Sequence, residues 1–361
     1  MRYAFRTLLF AAVLVCTGLV PARAETDHGA IARAALTEVI RPGYAALAQT
    51  TTVLDEKVAA LCAAPAPKAL VDTKDAFAGA VKSWSAVEVL RFGPVNKSHR
   101  YERLFYWPDP KGIGLRQVQR ALAKKDTTVT APESLAKKSV ALQGLPALEY
   151  LLYGPGAETL TGKADDAFRC RFAAAVAANM AKIAGEVAQA WGEDAPFTKA
   201  FLDPGPNDPL YRAPKDVTLE LFKVFTGGIE LVRDQKLGKP LGVSAERARP
   251  RHAAFWRSGL TFPNMAGNLE GVQALFAKGG FAGVVAAESP GVEKSILFDL
   301  DRVINILAAV DQPIAEMVRD QAQRNKLEAL RVALRSARET AAAMIARGAD
   351  LSFGFNAMDG D

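Results

Sequence analysis

Apolar residues recur at helical spacing along nearly the whole chain, and alternating strand patterns are scarce. Val303, Ile304, Ile306, Leu307 and Val310 follow the i, i+3, i+4, i+7 rhythm of a packed helix, while Leu327, Leu330, Leu334, Met344 and Ile345 mark one face of a long final one. Further helices are predicted from about His28 to Leu61, Asp72 to Arg91, Pro132 to Tyr153, Asp165 to Trp191, Asp216 to Gln235 and Asn264 to Lys278. Pro42-Gly43 is expected to kink or break the first of these. The predicted fold is therefore all-α. The densest turn signal, Asp203 to Pro209 followed by Pro214, suggests a boundary between helical bundles at 25–203 and 210–361. Each half offers an opening helix, a Trp-bearing helix around Trp84 or Trp256, a loop and later bundle helices, a pattern compatible with internal duplication.

Residues 1–24 read as a signal peptide: Arg2 and Arg6, an apolar run from Leu8 to Val20, and the small-x-small site Ala22-Arg23-Ala24. Val15 stands where a lipid-attachment site at Cys16 would want a small residue, so cleavage after Ala24 and export to the periplasm are expected. No later stretch is apolar enough to span a bilayer, although outer-membrane association is compatible with the pattern. Losing Arg2, Arg6 and Arg23 lowers the net charge from +6 to +3, too weak a balance to suggest a nucleic-acid partner. Cys62 and Cys170 remain, either as one disulfide in an oxidising compartment or as two separate buried thiols.

One carboxylate stands out. In Gln143 to Gly154, QGLPALEYLLYG, Pro146 suits a first helical turn, and Leu145, Leu148, Leu151 and Leu152 surround Glu149 at helical spacing. An acid so placed needs a cation, either a basic side chain or a metal, because an unpaired buried charge is costly.

Most catalytic signatures are missing. There is no HExxH, no GxSxG and no phosphate-binding loop, and His28, His99 and His252 are far apart in the chain. Four segments carry unusual polar chemistry. Leu104 to Pro110 places Trp107 and Asp109 in an aromatic, Pro-bracketed loop suited to a cleft wall or an Asx turn. Glu230 to Gly242 crowds Arg233, Asp234 and Lys236 near Gly238, read as the helix stop, with Pro240 barring continuation. Trp256 to Met265 brings aromatic and arginine residues to a helix start. The tail Leu351 to Asp361, containing Asn356, is expected to pack back on the fold; its acids have the wrong spacing for a calcium loop.

Five stretches taken in order resemble the imelysin-like family, named for an insulin-cleaving outer-membrane metallopeptidase and related to iron-regulated envelope proteins. They are Trp84-Ser-Ala-Val-Glu-Val-Leu-Arg-Phe-Gly-Pro94, Phe105-Tyr-Trp-Pro-Asp109, Gly144-Leu-Pro-Ala-Leu-Glu-Tyr-Leu-Leu152, Arg233-Asp-Gln-Lys-Leu-Gly-Lys-Pro-Leu-Gly242 and Gly354-Phe-Asn-Ala-Met-Asp-Gly-Asp361. The resemblance implies two duplicated helical bundles with a site between them, built on a GxHxxE motif. Gly144 and Glu149 match that motif, but Pro146 occupies the histidine position and has no ligand atom.

Three readings follow. In the first, the chain is a periplasmic binding or accessory protein for iron or another small-molecule or metal ligand, serving an envelope uptake system. Gly144, Trp107, Asp109, Glu149, Arg233, Asp234, Lys236 and Asn356 would be its candidate ligand-binding residues, and iron or another divalent cation at Glu149 its candidate metal. In the second, it is a metallopeptidase, which the missing histidine disfavours. In the third, it is a non-catalytic helical scaffold docking a membrane or protein partner, with Glu149 salt-bridged to Arg233 or Lys236.

Overall fold

In the computed structural model, residues 26–162 and 167–351 are described, and among them the chain forms helices and turns with no strand. The leader, the tail and Asn356 lie outside the described residues.

The first bundle is built on three long helices, Arg41–Ala63, Pro67–Val87 and Ala167–Ala190. Leu47, Leu54, Val58 and Leu61 form the buried stripe of the first, and Phe172, Val176, Met180, Ile183 and Val187 that of the third. Cys62 and Cys170 join these two helices in a disulfide, with Cα atoms 5.6 Å apart. The later bundle comprises Pro214–Glu230, Thr261–Lys278, Phe281–Glu288, Val292–Ala308 and Gln321–Gly348.

The two bundles share one continuous apolar core. They meet where Thr261–Lys278 crosses Pro67–Val87, and the crossing is close because Gly271 and Gly267 sit in it. A Cβ on Gly271 would stand 2.1 Å from the Ala86 carbonyl oxygen, and one on Gly267 2.7 Å from Ser85 Cβ. The opening helix His28–Ala35 packs on Pro214–Glu230, with Thr26 Oγ1 donating to the Gly348 carbonyl at 2.9 Å. The 25–203 and 210–361 halves are thus interleaved by their first helix.

Three local expectations are revised. Pro42 does not break its helix. The turn before it, Leu36–Ile40, widens to π register, and the helix continues through Pro42 near the start of Arg41–Ala63. Gly238 is likewise no stop, since it adopts right-handed helical angles at the end of a π segment, Leu231–Gly238. The Lys239 N–H bonds the Asp234 carbonyl in that wider register, and the helix runs on through Pro240 to Leu241. The stop is Gly242, at φ 63°, where a Cβ would meet the Arg247 carbonyl oxygen at 2.5 Å. Finally, the span from Pro132 to Tyr153 is not one helix. A short Pro132–Leu135 turn and a 3-10 turn precede Gly144–Tyr153, because Gly144 at φ 76° cannot continue a right-handed helix from its N-terminal side.

Candidate functional site

The Gly144–Tyr153 helix is anchored at both ends. At Gly144 a Cβ would lie 2.3 Å from the Leu104 carbonyl oxygen and 2.5 Å from that of Arg103, so glycine permits the close approach. At the far end the Arg169 guanidinium donates to the Leu151 carbonyl at 2.8 Å and, at 3.3 Å, joins the Gly154 N–H on the Tyr150 carbonyl, pairing groups at the end of the helix. Glu149 is buried between these anchors, 4 % exposed.

Its Oε1 accepts three hydrogen bonds from a loop more than a hundred residues away: Arg257 N–H at 3.0 Å, Ser258 N–H at 2.9 Å and Ser258 Oγ–H at 2.9 Å. Phe255, at φ 56°, turns the chain that presents these consecutive amides. A left-handed aromatic residue is strained, and packing holds it there: the Phe255 ring stacks on Phe105 at 5.2 Å and meets Phe77 edge-on at 6.2 Å. Burial raises the Glu149 pKa, while the Ser258 and Arg257 donors and the Arg257 charge pull it down. Oε2 has no protein donor among the described residues.

Glu149 lines a cavity of about 930 Å3 whose walls come from residues 105–155 and 235–257, hence from both bundles. Its charged lining is strongly unequal. Lys111, Lys239, Arg249, Arg251 and Arg257 face only Asp109 and Glu149. Arg257 is held by aromatic faces, its guanidinium carbon 4.3 Å from the Trp256 ring centre and 5.3 Å from that of Tyr150, and burial lowers its pKa. Arg251 also lies over Trp256, at 5.7 Å. Trp107 is fixed by its indole N–H, which donates to the His252 carbonyl at 3.1 Å, and by stacking on Phe105 at 6.0 Å.

Behind this wall lies a second buried acid. Lys236 Nζ donates to Glu88 Oε2 at 2.7 Å and to Asn264 Oδ1, under the rings of Phe105 and Trp107 at 5.5 and 5.4 Å. Asn264 and Asn268 also donate to Glu88 Oε2, at 3.2 and 3.0 Å, and Asn264 to Ser85 Oγ at 2.7 Å. Lys236 and Glu88 are fully buried. Burial pushes the Lys236 pKa down to about 8, against the pull of Glu88.

The family model described as Imelysin matches residues 40–341. The chain belongs to the imelysin family. Two solved structures share the fold: an imelysin-like protein from Psychrobacter arcticum 273-4, and a protein from Parabacteroides distasonis ATCC 8503 described as a "putative iron-regulated protein A precursor". The first is 17% identical with a TM-score of 0.72, the second 14% with 0.74, and each alignment covers 90% of this chain and 97% of the other. Among curated proteins, none matches.

In this imelysin-family chain, Pro146 lines the cavity with Glu149 and offers no side-chain ligand atom. The residues present do not fit a metal ion. Oε1 of Glu149 is saturated by three donors, Arg257 brings a positive charge to the same carboxylate, and no group of three His, Cys, Asp or Glu among the described residues could hold a cation.

The sequence-derived candidates scatter. Glu149, Trp107 and Asp109 line the cavity, but Asp109 is spent on capping Ile113–Lys124, accepting from Ile113 N–H at 2.8 Å and Gly114 N–H at 2.9 Å. Gly144 is a backbone contact rather than part of the lining. Arg233 and Asp234 pair with each other at 2.6 Å away from the cavity, and that bond lowers the Asp234 pKa. Neither salt bridge expected for Glu149 forms: Arg233 is held by Asp234, and Lys236 by Glu88. The basic run Arg247, Arg249, Arg251 and Arg257, interleaved with Phe255 and Trp256, reads from the sequence as a solvated helix face; the last three arginines instead line the cavity from a turn-rich loop, and Ser258 carries no signal that singles it out.

Proposed function

We propose that this imelysin-family chain is an exported periplasmic binding or accessory protein linked to iron uptake, and that the cavity around Glu149 is its ligand site. The observation that carries this reading is a carboxylate held rigidly at the wall of a large, aromatic and cationic cavity. The leader supports export, and the name of the Parabacteroides neighbour supports the iron link. No helix among the described residues is long and apolar enough to cross a membrane. With one free carboxylate oxygen and no companion donors, the cavity suits iron carried in a complex that brings its own ligands. The same shortage of donors weighs against a metallopeptidase, which needs a metal-bound water.

Calorimetric titration of residues 25–361 with ferrous, ferric, zinc and calcium ions, and with ferric citrate, tests the proposal. The expected result is saturable binding of ferric citrate, weakened in Glu149→Gln, and none of the bare ions. Binding of no ion and no chelate would count against a ligand site here, while tight bare-ion binding lost in the variant would restore a metal site.

A further inference from the structure

The cavity combines three features that together restrict its ligand. First, its cations outnumber its acids: Lys111, Lys239, Arg249, Arg251 and Arg257 face only Asp109 and Glu149, so an excess of three positive charges remains after both carboxylates, one of them beside Arg257, are counted. Second, its aromatic surfaces are held in place, Trp107 by the His252 carbonyl and Trp256 by the guanidinium groups laid on its ring. A planar ligand can stack there with little ordering cost to the protein. Third, Glu149 Oε2 is an acceptor amid donors. It repels a plain carboxylate and calls for a hydroxyl hydrogen on the ligand.

We propose that this cavity selects free hydroxylated aromatic carboxylates, whose hydroxyl still carries its hydrogen, over ferric catecholates, whose coordinated oxygens have lost it. The carboxylate pairs with Arg251 and Arg249 at the exposed rim, the ring lies against tryptophan, and the hydroxyl donates to Glu149. This rests on the reading of the cavity as the ligand site and names the class of molecule that enters it.

The test uses residues 25–361, tryptophan fluorescence and calorimetry. The probes are 2,3-dihydroxybenzoate, its ferric complex, benzoate, catechol and glucuronate. The expected result is that 2,3-dihydroxybenzoate binds at least about tenfold tighter than benzoate, catechol or its own ferric complex, whose coordinated oxygens carry no hydrogen to donate. Arg251→Ala, at an exposed position where the fold should be unaffected, is expected to weaken binding about tenfold through loss of a charge-assisted bond. Glu149→Gln should erase most of the preference over benzoate. Equal binding of benzoate or of the ferric complex, tighter binding of glucuronate, or indifference to Arg251→Ala overturns the proposal. If ferric citrate binds and neither aromatic probe does, the proposal falls while the cavity remains a ligand site; if nothing binds, both fall.

Discussion

Glu88 and Glu149 are two buried carboxylates within one apolar core, and they are neutralised by opposite means. Glu88 caps the C-terminal end of Pro67–Val87, where the helix dipole disfavours an anion; its Oε2 is met by a full charge, Lys236, and by Asn264 and Asn268, while its Oε1 stays buried without a hydrogen bond, 4.0 Å from Arg91 Nη2. Glu149 instead receives backbone amides and one hydroxyl on a single oxygen, with the Arg257 charge nearby, and keeps its other oxygen free at the cavity wall. Neither Glu88 nor Lys236 lines the cavity, so the bare oxygen of Glu88 is sealed in the core beyond a ligand's reach. Glu149 lines the cavity, and that is why the second acid, and not the first, belongs to the candidate site.

If the contrast is right, breaking the buried pair costs most. Lys236→Met strands a buried carboxylate and should lower unfolding free energy by about 3–5 kcal/mol, read as a shifted urea midpoint; a change near zero would mean that the pair adds no net stability. The same pair should leave a pH signature. Because the folded Lys236 pKa, about 8, lies below its unfolded value, the unfolded chain holds more protons between about pH 8 and the ordinary lysine range. The contribution of this group therefore rises with pH across that window, and the slope should flatten in Lys236→Met.

Next comes the crossing that assembles the pair. Gly271→Ala forces a Cβ into the Ala86 carbonyl and should cost about 1–3 kcal/mol, with Glu149-dependent ligand binding retained if the two acids are independent. Glu149→Gln keeps an acceptor for Ser258 and Arg257, so the expected loss is smaller, about 1–2 kcal/mol. Its size also changes with pH. A carboxyl whose folded pKa is raised contributes fully below the ordinary carboxylate range and loses that contribution as pH rises through the folded value. Wild type should thus gain stability relative to Glu149→Gln as pH is lowered from neutrality. Ser258→Ala removes one of the three donors and should cost about 1 kcal/mol in the same urea assay, the smallest effect of the series.

Much of this was legible before the fold was known. The helical periodicity of Leu327, Leu330 and Leu334 and the apolar surroundings of Glu149 reappear as a long final helix and a buried acid. The π segments at Leu36–Ile40 and Leu231–Gly238 were not legible, because proline and glycine signal a break, whereas a wider turn accommodates the same residues without one.

Helix class, the buried acid and the absence of a histidine ligand at Pro146 are local facts, written in residues a few positions apart. The identity of each acid's partner is not local. Lys236 reaches Glu88 across 148 positions, and Ser258 reaches Glu149 across 109, through helix crossings that no short-range pattern encodes. Two of the three bonds to Glu149, moreover, come from main-chain N–H groups, which every residue except proline carries alike, so only the path of the folded backbone distinguishes the amides of Arg257 and Ser258 from all the others.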